Sequence, residues 1–142
     1  DFGAFLKLLP ANQDGIVLRH AVQVRHESFI VPEFVALCRA AGVAIVYAES
    51  PDYPALADIS GDIVYARLES SVEQEPLGYA PAALDHWAGV ARDWATGAQP
   101  GGLPYASEVP PPRAPRDTYV FFISGAKQRN PQAAMALIER VR

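Results

Sequence analysis

Arg25, Arg67, Glu49 and Glu69 are the residues from which this chain could build a reactive site, because each stands at the polar end of an apolar run. Leu18 to Phe29 begins as a strand pattern and ends in the charged group Arg25-His26-Glu27. Val43 to Ser50, Ile63 to Glu69 and Tyr119 to Ser124 repeat that design. Four strands, each followed by helix or loop and each turning polar at its C-terminal end, make a parallel β/α repeat. Ligands in such folds bind at the carboxyl ends of the strands.

Side chains alternate along a strand. With Val22 and Val24 facing the helices, Gln23 and Arg25 point the other way. Tyr47 and Glu49 share one face of the second strand, and Tyr65, Arg67 and Glu69 share one face of the third. If those faces coincide, two arginines and two carboxylates converge. Arginine forks hold anions bidentately, and a carboxylate in a poorly hydrated mouth serves as acid or base. The pattern therefore predicts Arg25, Arg67, Gln23 and Tyr65 as ligands of an anionic or polyhydroxylated small substrate. Glu49, or in its place Glu69, is the acid/base, and His26 orients or shuttles protons. The competing expectation is an ion-pair network that only fills the mouth.

Ser124 to Asn130 leads from the last strand into a helix. Gly125, Lys127 and Asn130 fit a phosphate cradle there, against the alternative of a solvated loop. His20 and His26 lie on one strand some ~20 Å apart by strand rise, so they cannot share a metal, and no metal is expected in this chain. No cofactor is indicated. Glycine-rich nucleotide loops, a nucleophile elbow and a Cys–His pairing are all missing from the sequence.

The elements that must position these residues follow from punctuation and periodicity. Residues 2–9 read as a short amphipathic helix stopped by Pro10, 12–15 as a turn and 17–25 as the first strand. Pro32 suits a first helical position and Gly42 a stop; residues 43–48 and 63–68 are the next strands. Residues 81–96 carry Leu84, Trp87, Ala88, Ala91, Trp94 and Ala95 on one helical face, which marks the tryptophans as packing. Residues 98–117 hold six prolines and read as an extended surface loop away from the site. Residues 118–123 are the fourth strand, and Asn130 is expected to cap a last helix with Pro131 at its first position.

The chain has 142 residues, half of them apolar and 20% charged, the size and balance of one domain (1–142). Its net charge of −4 argues against non-specific binding to nucleic acid or anionic membrane, which need a basic surface. Cys38, the single cysteine, reads as a small core residue. No apolar run nears the roughly 20 residues of a membrane span and no signal peptide is visible, so a cytoplasmic protein is expected.

Four segments carry a resemblance: Ala21 to Phe29 with its Arg25-His26 pair, Gly42 to Ser50, Asp62 to Leu68 with its Tyr-x-Arg-Leu run, and Tyr119 to Phe122. With the helix Ala133 to Leu137 they resemble, in order and over nearly the whole chain, the YecE-like family, domain of unknown function number seventy-two. The resemblance implies a TIM-barrel-like (β/α) fold of which this chain is the C-terminal half, and it implies no reaction. The chain departs from the family pattern at Gln23, Glu49, Glu69-Ser70 and Ile123-Ser124. Eight β/α units take ~250 residues, so the chain is expected to be about half a barrel. It then needs a missing N-terminal half or self-association to cover its sheet edges. Hydrolysis or isomerisation of a sugar or phosphate ester is the fold-level default. The alternatives are a metal-dependent nucleic-acid phosphodiester hydrolase and a non-catalytic binding or assembly module.

Overall fold

The computed structural model describes residues 1–142. A short helix, α1 (Phe2–Lys7), leads into a hairpin of β1 (Asn12–Gln13) and β2 (Ile16–Val17). Asp14 and Gly15 both take positive φ, 52° and 79°, the conformation a two-residue hairpin loop requires. Val17 therefore belongs to the hairpin with Ile16, and not to the first strand expected over residues 17–25.

The parallel part starts at β3 (Ala21–Val22), followed by α2 (Pro32–Ala41) and a second strand in two pieces, β4 (Ala44–Ile45) and β5 (Tyr47–Glu49). β4 pairs with β3, and β5 pairs with β6 (Ile63–Leu68). A switch of partner at Val46 thus places the second strand between the first and third. β6 in turn pairs over its whole length with β7 (Asp117–Phe122). Helix α3 (Pro81–Thr96) joins those two strands, and α4 (Asn130–Val141) closes the chain. All four strand positions run parallel in chain order, with four helices. The arrangement is a mixed α/β fold with open parallel sheets, not a closed barrel.

Register decides which side chains are buried. Tyr47 pairs with Ala66, Glu49 with Leu68, and Ala48 with Arg67. Ala66 and Leu68 lie in the main core with Trp87, Trp94 and Leu137 of α3 and α4, so Tyr47 and Glu49 project to that same helix-covered side. Val22 and Ile45 do likewise over Phe34, Val35 and Cys38 of α2. The opposite face carries Gln23, Arg67, Tyr65, Tyr119 and Phe121, and no helix covers it. Tyr119 and Phe121 are 40% and 41% exposed there, and Tyr65 stacks on Phe121 at 4.8 Å.

Residues 98–117 are more than a surface loop. Pro100 is fully buried and Arg116 is 9% exposed. The Asp58 carboxylate accepts from the Ala106 and Ser107 N–H groups at 2.8 and 3.0 Å. Prolines offer carbonyls but no N–H, and arginine supplies the donors: Arg39 to Val109 O and Arg116 to Pro112 O. The segment is a strap held across the N-terminal ends of the strands. No helix is long and apolar enough to cross a membrane.

Candidate functional site

Arg67 projects from the open face at the end of β6 and donates to Gln23 Oε1 across the intervening strand. The alternation predicted from sequence places both residues on this face. Gln23 Nε2 is buried and has no partner. Arg25 lies beyond the end of β3, exposed, with its guanidinium 4.6 Å from the centre of the Tyr53 ring. That cation–π contact parks a cation without neutralising it.

Glu49 departs from expectation. Because Glu49 is in register with Leu68 and not with Arg67, it sits on the far side of the sheet from the arginine. Its carboxylate accepts from Ser70 Oγ and, at 3.3 Å, from the Tyr79 hydroxyl. Tyr79 also accepts from the Ser70 N–H at 2.9 Å, and burial first, then the Glu49 charge, pushes its phenol pKa up. Glu49 is thus spent on tying the loop 70–79 to the sheet. Within that loop Ser71 and Tyr79 are buried.

Glu69 is different. It is 8% exposed, accepts from Ser124 Oγ at 3.2 Å through one oxygen, and leaves Oε2 buried without a partner. No ion pair joins Arg25 or Arg67 to either glutamate; the chain's ion pairs are Arg19–Asp117, Arg140–Asp85 and Arg142–Glu139. The charges at the strand ends therefore do not form a self-neutralising network. His26 caps the 3-10 turn Glu27–Phe29, its Nδ1 accepting from the Ser28 N–H at 3.1 Å. In the neutral ring the proton then sits on Nε2.

The loop after β7 is built differently from a free phosphate cradle. Gly125 has φ 55°, and a Cβ there would lie 2.7 Å from Ser71 O, so the chain itself fills that approach. Asn130 is the first residue of α4 and not its cap. Its amide donates to Ser124 O at 2.9 Å and its oxygen accepts from Ser71 Oγ at 2.7 Å. Lys127 is exposed in the 3-10 turn Lys127–Arg129. Phe121, Ser124, Lys127 and Asn130 border an open depression of about 570 Å³. No group of three or more His, Cys, Asp or Glu side chains is gathered to hold a metal ion.

The sequence gives no sign of the roles of Ser70, Ser71, Tyr79 and Ser124. Their hydroxyls bridge segments far apart in the chain, and no local spacing signals that.

A parallel β/α fold with its polar groups at the strand carboxyl ends is the class of protein these features define. The model of the family described as protein of unknown function DUF72 matches residues 1–142, and the chain belongs to that family. No curated protein and no solved structure matches it.

Proposed function

We propose that the open face at the strand carboxyl ends binds and transforms a small anionic or polyhydroxylated molecule. The observation that carries this reading is two buried, unpartnered polar atoms at the strand carboxyl ends: Gln23 Nε2, a donor on the residue that Arg67 bonds, and Glu69 Oε2, an acceptor. Burying a polar atom without a partner costs about 1–3 kcal/mol, and each such group calls for an explanation, of which a functional role is one. Arg67, with no carboxylate on it, grips the anionic or hydroxyl-bearing part, with Gln23 and Tyr65 beside it. Arg25 is free to swing from the Tyr53 ring and add a second fork.

Glu69, not the hydroxyl-bound Glu49, is the better acid/base in this reading, because one of its oxygens is unspent. His26 offers Nε2–H toward solvent for proton transfer, and Lys127 supplies charge at the depression after β7. Hydrolysis or isomerisation of a sugar or phosphate ester is the reaction class by analogy of fold.

The finer architecture belongs to the same proposal. The sequential parallel order, the free edges of β3 and β7 and the bare aromatic face carrying Tyr65, Tyr119 and Phe121 support a half barrel whose interior is that face. Further β/α units, or a second copy, would cover it. The test is a panel of sugar phosphates and polyols titrated into the protein and into Arg67→Ala and Arg25→Ala. Loss of affinity in both variants supports the reading; unchanged affinity for every ligand found sinks it.

A further inference from the structure

We propose that the cavity at the opposite, N-terminal ends of β4, β6 and β7 is a binding site for a small oxyanion, a phosphate or carboxylate group, gripped by Arg39 and Arg116. The cavity holds about 570 Å³, and Arg39, Asp62, Pro111, Pro112 and Arg116 are among its walls. Gly42 precedes β4, Gly61 and Asp62 precede β6, and Arg116 precedes β7. β6 has six residues, so the cavity lies ~20 Å from the Arg67 end.

The donors there exceed what the fold consumes. A guanidinium carries five N–H groups in a planar fork. Arg39 gives Nε to Ile59 O at 3.0 Å and Nη1 to Val109 O at 2.9 Å. Arg116 gives Nε to Gly61 O, Nη1 to Ala114 O and Nη2 to Pro112 O, at 3.1, 3.1 and 2.7 Å. Three N–H groups of Arg39 and two of Arg116 stay unspent. All five acceptors are neutral carbonyls, and neither arginine has a carboxylate within ion-pair reach.

The third arginine of the cavity, Arg19, is already paired with Asp117 at 2.8 Å and bonded to the Tyr119 hydroxyl. Asp62, exposed, is the one acid in the walls. Burial, and then the positive charge of Arg39, lower the Arg116 pKa, while Asp62 raises it. Two like charges facing one cavity over a single exposed acid leave a net positive site.

Strapping residues 98–117 accounts for the carbonyl bonds. It does not account for the charge, since neutral amides could donate to carbonyls as well. An oxyanion would neutralise the two cations and take their unspent donors bidentately.

The test is calorimetric titration of the protein with inorganic phosphate and, separately, with succinate, at constant ionic strength. Saturable binding of one or both is expected, and which of them binds tells a phosphate-type ligand from a carboxylate. Asp62→Asn, which removes the only acid in the walls, should tighten binding several-fold. Arg39→Gln should weaken it about 10-fold or more, with Arg39→Lys in between. The Arg39-dependent binding should persist in Arg67→Ala, which removes only the separate open-face site. Should Arg39→Gln not fold, Asp62→Asn still decides the matter. The proposal is overturned if neither anion binds, if Asp62→Asn leaves affinity where it was, or if Arg67→Ala abolishes binding, which would move the anion to the other end of the sheet.

Discussion

Glu49 and Glu69 are a half-buried and a buried carboxylate at the carboxyl ends of neighbouring strands, and their neutralisation should shift stability in opposite directions. Glu49 accepts from two hydroxyls, Ser70 Oγ and Tyr79 OH. Hydrogen bonds to a charged acceptor contribute about 1.5–3 kcal/mol each. Glu49→Gln keeps one carbonyl oxygen and turns the other position into a donor facing a hydroxyl, so a loss of roughly 1–2 kcal/mol is expected. Glu69 has one bond, to Ser124, and a bare buried oxygen. Glu69→Gln keeps an acceptor for Ser124 and removes a buried charge that nothing in the chain compensates. It should stabilise the ligand-free protein by about 1–3 kcal/mol, because a neutral amide, even with its N–H groups unpartnered, costs less to bury than an unpaired carboxylate. At about 2.1 cal/mol/K per residue, a chain of 142 residues shifts its Tm by about 3 °C per kcal/mol. Scanning calorimetry at neutral pH and fixed protein concentration should show Glu49→Gln melting about 3–6 °C lower and Glu69→Gln about 3–10 °C higher. Any ligand affinity found for the open face should fall in Glu69→Gln, the stability–function trade-off of a binding site. If Glu69→Gln melts as far below the parent as Glu49→Gln does, the free oxygen is not an unmet group and the reasoning is refuted.

Gly125→Ala combines a left-handed residue with a clash on Ser71 and should cost ~2–5 kcal/mol, read as a fall in urea midpoint; a change under about 0.5 kcal/mol would contradict the packing described. Asp58→Ala leaves the Ala106 and Ser107 N–H groups without an acceptor, so limited proteolysis should cut residues 98–117 much faster than in the parent, and an unaltered cleavage rate would mean that the strap is held elsewhere. Burial pushes the Cys38 thiol up from 9.0 to about 11, and burial first also pushes the Tyr47 and Tyr105 phenols up from 10.0 to about 12. These groups bind protons more tightly when folded, so their contribution is complete below pH 9 and is lost as pH rises toward 12. Circular dichroism should show the urea midpoint falling steadily over that window, and a flat midpoint would be inconsistent with their burial.

Periodicity and punctuation were enough for α3, β6 and β7, where long apolar patterns, Pro81 and Gly97 leave little choice. They also put Gln23 and Arg67 on one face, because alternation within a strand is a local property. They failed where register between strands decides. Tyr47 and Glu49 alternate correctly, but only pairing with Ala66 and Leu68 reveals that they face the helices. The same limit hid Asn130. Its type and position suit a cap, yet its amide is drawn to Ser71 and Ser124, contacts set by tertiary packing. The first strand is expected to start at Val17, although a tight Asp14-Gly15 turn claims that residue for a hairpin. The strap looked like an extended surface loop because its anchors, Arg39 and Asp58, lie far away in the chain.

The most direct test of the central claim is an NMR titration that follows the Gln23 side-chain amide and the Arg67 Nε resonance while sugar phosphates and polyols are added. The account predicts that at least one such compound shifts both signals in a saturable way, and that Arg67→Ala removes the shift at Gln23. If both signals stay fixed through the whole panel while other parts of the protein respond, the open face is not the ligand site and the proposed function falls.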